Sequence, residues 1–109
     1  MDYDISYAYS GETDEWEVKL SGEFDIFNSD NLKAELNGLI GQKNISMVID
    51  CFELSFMDST AIGSLVAVFK NMNTYGGKIA LKNLKPNLMK LFRITSLDSV
   101  FEIEGESDE

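Results

Sequence analysis

The chain is 109 residues long, 44% apolar and 26% charged, with a net charge of −10 and no histidine. That length supports one domain of ordinary size, and the acidity argues against a nucleic-acid binder, whose affinity comes mainly from Lys and Arg on phosphates. Without histidine there is no His-based triad, no His metal site and no imidazole general base, and the single Cys51 excludes an internal disulfide or a CxxC site.

Ile5, Tyr7 and Tyr9 alternate with smaller residues, and Trp16, Val18 and Leu20 alternate with Glu17, Lys19 and Ser21. Both stretches have the period of two of a half-buried strand, and the polar Gly11-Glu12-Thr13-Asp14 between them predicts a hairpin. Gly22-Glu23-Phe24-Asp25 ends the second strand. Asn28 and Ser29 are cap residues, and Leu32, Leu36, Leu39 and Ile40 follow at helical spacing up to Gly41. Met47-Val48-Ile49 predicts a central strand buried on both faces and ended by Asp50-Cys51. Phe52 to Met57 reads as an unusually apolar loop.

Asp58 or Ser59 caps a second helix, with Ile62, Leu65, Val66, Phe69 and Met72 as its inward face and Tyr75-Gly76-Gly77 as its end. Ile79 and Leu81 predict a fourth strand. Pro86 opens a third helix that turns Leu88, Leu91 and Phe92 inward. Val100, Phe101 and Ile103 make a last short strand. The order β-β-α-β-α-β-α-β implies an α/β fold, a mixed sheet with parallel crossover units and helices packed on it. Residues 1–104 read as a single domain and residues 105–109 as an acidic tail. No basic and apolar leader and no long apolar window is present, so a soluble cytoplasmic protein without membrane association is expected.

The charge is unevenly spread. Residues 1–25 carry eight acids and one lysine, residues 26–101 six acids and eight bases, and residues 102–109 five acids and no base. Lys70 to Arg93 holds six bases and no acid. The domain is thus polarised, with acidic ends and a basic segment between them, either as a solvated surface or as a pattern facing a partner.

The most informative stretch is Leu54-Ser55-Phe56-Met57-Asp58-Ser59-Thr60-Ala61-Ile62-Gly63, between a buried strand and a helix. Three hydroxyls, Ser59, Thr60 and Ser64, fall in the first turns of that helix. A helix N-terminus offers free N–H groups and the positive end of the dipole, and a phosphate there adds roughly −1.5 to −2 charges at neutral pH. On spacing alone an ordinary cap explains Asp58 and Ser59 better. The apolar loop before them and the small residues after them, with Gly63 inside the helix at a cost of about 1 kcal/mol, suit a close approach by another backbone, or, for Gly63, close packing within the domain.

With these residues the chain resembles the STAS domains of the bacterial anti-sigma factor antagonist family. Leu54 to Ser59 followed by Ile62-Gly63 is similar to the family's phosphorylation loop, and Gly22-Glu23-Phe24-Asp25 to its turn after the second strand. Gly76-Gly77-Lys78, Leu84 with Pro86, and Leu91-Phe92 before Leu97 follow in order and spacing, so that the likeness covers Trp16 to Ile103. The resemblance implies a protein that binds an anti-sigma factor serine kinase while unphosphorylated and so releases a sigma factor. It implies that the kinase switches it off at the serine after the loop aspartate, Ser59 here, and that a metal-dependent serine phosphatase restores it. Thr60 and Ala61 stand where Ser and Gly are frequent in the family, so Thr60 is the alternative acceptor. Asp25, Asn28, Asp58, Ser59, Thr60, Ile62 and Gly63 are the partner-binding residues that the resemblance implies, with Asp25 beside the phosphorylation loop. A monomer without cofactor or metal is expected.

Other classes fit less well. A Ser59 nucleophile lacks a histidine and a Gly-x-Ser-x-Gly elbow, so no enzyme is expected. A receiver-like phosphoaspartate at Asp50 or Asp58 beside Mg²⁺ needs paired acids after the first strand, where Tyr9-Ser10-Gly11 stands. A STAS interaction module of the stress-sensing or lipid-transport type, never phosphorylated, is the remaining alternative. Cys51, Trp16, Phe69 and Phe92 read as core residues.

Overall fold

The computed structural model describes residues 2–104, so the acidic tail at 105–109 lies outside the described residues. Strands β1 (Tyr3–Ser10) and β2 (Glu15–Phe24) form the expected hairpin. Asp14 makes the turn possible. It adopts a left-handed conformation at φ 55°, its N–H reaches Ser10 O at 2.9 Å, and its carboxylate accepts the Tyr9 hydroxyl at 2.8 Å. Helix α1 (Ser29–Gln42), β3 (Ser46–Met57), α2 (Ser59–Asn73), β4 (Ile79–Lys82) and α3 (Pro86–Ile94) follow. A 3₁₀ turn at Leu97–Ser99 then leads into β5 (Glu102–Glu104).

The sheet order is β1-β2-β3-β4-β5, with β1 antiparallel to β2 and every later neighbour parallel. Each crossover therefore steps the same way along the sheet. Right-handed connections then place all the helices on one face. The register shows the consequence. Trp16 and Val18 align with Met47 and Ile49, and these with Ile79 and Leu81, and all of them are buried under the helices together with Leu20. The opposite face carries the rows Glu17–Val48–Ala80–Glu102 and Lys19–Asp50–Lys82–Glu104. Val48 is only half-buried there, so the strand expected to be covered on both faces is covered on one.

Residues 52–57 correct a second expectation. They are strand, not loop, and continue the pairing with β2 to Phe24↔Met57. The register slips by one residue between Lys19 and Ser21 and again between Gly22 and Glu23, and both times β3 carries the extra residue. Each bulge turns the side chains over. The inward residues become Cys51, Leu54 and Met57, three apart, while Phe52 and Phe56 face solvent. The last strand is also shifted. Phe101 is buried ahead of β5, where it meets Phe92 of α3 and Phe69 of α2 edge-on, with ring centroids 5.7 and 6.0 Å apart.

On α2 the deepest residues are Ala61, Leu65, Val68 and Met72, with Ile62 also buried. Val66 and Phe69 lie only partly buried at the margin of the stripe. The small Ala61 and the buried Ser64 let α2 lie close to α1, and Ser64 Oγ donates to Ser29 O at 2.9 Å.

Candidate functional site

Helix α2 starts where β3 stops. Asp58, in extended conformation, is its N-cap. Its Oδ1 accepts the Ala61 N–H at 3.0 Å and the Thr60 hydroxyl at 2.6 Å, and its Oδ2 accepts the Ile26 N–H at 3.1 Å. Asp58 also donates its N–H to Phe24 O at 3.0 Å, and its carbonyl takes the Ile62 N–H at 3.0 Å. One residue thus joins the end of β2, the loop before α1 and the first turn of α2. The Thr60 hydroxyl, then the Ala61 N–H, hold the carboxyl below its ordinary pKa, and the Ile26 N–H adds to them.

The loop before α1 is built by Asp25 and Asn28. Asn28 Oδ1 accepts the Asp25 N–H at 2.9 Å and its Nδ2 donates to Glu23 O at 2.9 Å. Asp25 Oδ1 accepts the Phe27 N–H at 2.9 Å, an Asx turn. The Asp25 carbonyl takes the N–H groups of Asn28 and Ser29. Asn28 precedes α1, but its side chain makes no cap bond to the helix. It is buried, and both ends of its amide are spent on the turn.

The residues singled out in the sequence come together, but at two levels. Asp25, Asp58, Ser59, Thr60 and Gly63 reach the surface, while Asn28 and Ile62 lie beneath it. The three hydroxyls separate. Ser64 is buried against α1, Thr60 is held by Asp58, and Ser59 is exposed with no hydrogen bond to its hydroxyl among the described residues. Gly63 is exposed, and a Cβ built on it meets nothing within 4 Å, so close packing inside the domain does not account for it. Between the start of α1 and the start of α2 lies an open groove of about 360 Å³, with Ile26, Thr60 and Gly63 on its walls.

Two residues of this surface had no place in the sequence reading. Ile26 and Phe27 form the tip of the loop and are 64% and 93% exposed. Their signal was available: two large apolar residues inside an Asp–Asn turn, outside any periodic stretch.

Other candidates fall elsewhere. Asp50 lies on the open face of the sheet, where the Asn83 amide at 2.9 Å is the main cause of its lowered pKa, helped by the Phe52 N–H at 3.0 Å. Cys51 is buried, and desolvation pushes its thiol up to about 12, so it is an inert core residue. Of the basic run, Lys78 pairs with Glu102 at 3.6 Å and Lys85 donates to Phe52 O. A concavity of about 610 Å³ spans the open face between Ser6, Lys19, Asp50 and Lys82 and touches none of the Asp58 surface. No helix among the described residues is long and apolar enough to cross a membrane.

A sequential sheet has no point at which the strand order reverses, and so none of the crevice in which doubly wound folds hold small ligands. The Asp58 surface is open. This fold and this strand-to-helix junction define a STAS domain, and the chain belongs to that family, whose model matches residues 12–109. Among curated proteins it is 33% identical to the anti-sigma-B factor antagonist of Bacillus subtilis over 84% of both chains. It is 32% identical to that of Listeria monocytogenes over 90% of this chain and 86% of that protein. Among solved structures, the phosphorylated Bacillus cell fate determinant SpoIIAA matches at a TM-score of 0.71 and 20% identity, over 94% of this chain and 92% of that one. An anti-sigma factor antagonist from Mycobacterium paratuberculosis matches at 0.76 and 20% identity, over 92% and 85%. At these identities the structures show the shared fold.

Proposed function

We propose that this chain is an anti-sigma factor antagonist controlled by phosphorylation at Ser59. In its unphosphorylated form it binds an anti-sigma factor that is also a serine kinase, and a sigma factor is released. Phosphorylation of Ser59 by the bound kinase ends the complex, and a metal-dependent serine phosphatase restores it. The names of the curated relatives support the antagonist role. The observation that carries the choice of residue is the separation of the three hydroxyls, in which Ser59 alone is both exposed and uncommitted among the described residues.

The switch has a physical basis in Asp58. A helix N-terminus ordinarily welcomes an anion, but here the Asp58 carboxylate already holds that place. A phosphate on the adjacent Ser59 meets a full negative charge and gains little from the helix end. In a close interface its two charges must also be desolvated, which weakens binding. The chain's part is to present Ser59 on a rigid ledge. Transfer of the phosphoryl group belongs to the kinase.

Incubation with the anti-sigma factor kinase of the same genome and ATP, followed by peptide mass spectrometry, tests this. One phosphate at Ser59, and loss of kinase binding by the modified chain, is the expected result. No phosphate between Asp58 and Ser64 would leave an interaction module without the switch.

A further inference from the structure

We propose that Ile26 and Phe27 are an apolar docking anchor that seats in a recess on the kinase when Ser59 is presented to it, an inference that rests on the proposed function above. Phe27 is 93% exposed and Ile26 64%. Exposed apolar residues scattered singly need no explanation. These two are adjacent, and three separate devices fix the backbone beneath them. The Asp25 carboxylate holds the Phe27 N–H, the Asn28 amide ties Asp25 to Glu23, and Asp58 Oδ2 holds the Ile26 N–H. A loop built only to connect β2 to α1 does not need a buried asparagine and two carboxylates to hold two side chains out in water.

The kinase is the occupant because the anchor and the acceptor share one surface. Asp58 receives Ile26 on one side and is followed in the chain by Ser59 on the other. Ile26 also walls the groove whose other side is Thr60 and Gly63. A protein that brings an active site to the Ser59 hydroxyl lies across that groove. Gly63 adds no side chain to keep it away. Rigid aromatic side chains lose little entropy on burial and recur as the residues that carry most of the binding energy in interfaces.

The test compares the wild-type chain with Phe27→Ala, Phe27→Leu and Ile26→Ser, using the anti-sigma factor kinase of the same genome. Ile94→Ala serves as control, since Ile94 is an exposed apolar residue, 69% accessible, at the end of α3. Binding and steady-state phosphorylation are both measured. Phe27→Ala and Ile26→Ser are expected to raise Kd and KM at least about tenfold with kcat unchanged, the pattern of lost uniform binding. Phe27→Leu should retain most of the affinity, and Ile94→Ala all of it. Equal melting temperatures show that the fold is intact. A wild-type chain that is bound and phosphorylated together with a Phe27→Ala variant of unchanged Kd overturns the anchor and leaves the switch standing. A wild-type chain that is neither bound nor phosphorylated overturns the switch and the anchor with it. Sedimentation of the chain alone reveals the other occupant. Self-association that Phe27→Ala abolishes, with kinase binding unchanged, would assign the pair to a homodimer and overturn the proposal.

Discussion

Ile26 donates its backbone N–H to the Asp58 Oδ2 at 3.1 Å, and this bond couples two segments that are 32 residues apart. Oδ1 of the same carboxylate caps α2 through Ala61. The two oxygens have different tasks, and substitution separates them. Asp58→Asn keeps a good cap at Ala61, but its amide nitrogen cannot accept from Ile26. Amide exchange at Ile26 should therefore quicken while the melting temperature changes little. Asp58→Ala removes both bonds and should lower the melting temperature by several degrees. Hydrogen exchange read at Ile26 and Ala61 distinguishes the two variants.

Acid should undo the same junction. Hydrogen bonds, first from Thr60 and then from Ala61, depress the Asp58 pKa below its ordinary 3.8 in the folded chain. The unfolded chain then takes up the proton more readily. The stabilisation is present above pH 3.8 and is lost as pH falls through the lower, folded value. Asp50 contributes with the same sign, chiefly through Asn83. Carboxyl carbon NMR titration should give both groups midpoints below 3.8, and Asp58→Asn should flatten the acid limb of the stability curve.

Gly22 lies within β2 at φ +86°, and a Cβ there would come within 2.1 Å of Asp2 O. The same oxygen accepts the Glu23 N–H at 3.2 Å. Gly22→Ala therefore meets left-handed strain and a backbone clash together and should cost about 3 kcal/mol or more. Denaturant unfolding checks this, and a loss below about 1 kcal/mol would show that β1 can shift aside.

Gly63 presents the opposite case. It is exposed in the interior of α2, and an added Cβ meets nothing. Gly63→Ala should stabilise the chain by about 1 kcal/mol, a rise in melting temperature of about 4–8 °C for a domain of this size. The same methyl group narrows the groove beside Thr60, so affinity for the kinase should fall as stability rises.

The strand–helix order and the junction at Asp58 were legible because each rests on local chemistry. Alternation in Trp16, Val18 and Leu20 and the Asp-Ser cap signal need no tertiary knowledge. Phe52 to Met57 looks like a loop in the sequence because two bulges convert a period of two into a spacing of three, and a bulge is a property of the pair of strands. Val48 was expected to be covered because three consecutive apolar residues look alike whether one or both faces are packed. The sequential strand order that leaves its face open is set by topology. Ser64 looked like one of three equivalent hydroxyls, and only the crossing of α1 over α2 buries it. Ile26 and Phe27 are marked in the sequence only by lying inside an Asp–Asn turn, since periodicity, which marks core positions, is silent on a loop.

The proposed phosphorylation has two adjacent hydroxyls to choose between, Ser59 and Thr60. Thr60 sits next to Ser59, but its Oγ1 donates to Asp58 at 2.6 Å, whereas Ser59 has no such partner among the described residues. To be modified, Thr60 must first give up a charge-assisted hydrogen bond, which is stronger than a neutral one. It must also place its phosphate against the carboxylate it left. Ser59→Ala should therefore abolish phosphorylation and leave the chain permanently bound to the kinase, while Ser59→Asp should bind poorly. Thr60→Val should still be phosphorylated, with a modest loss of stability because Asp58 loses one of its donors. Intact mass measurement after treatment with kinase and ATP decides the matter. A phosphate retained in Ser59→Ala and lost in Thr60→Val would move the acceptor to Thr60.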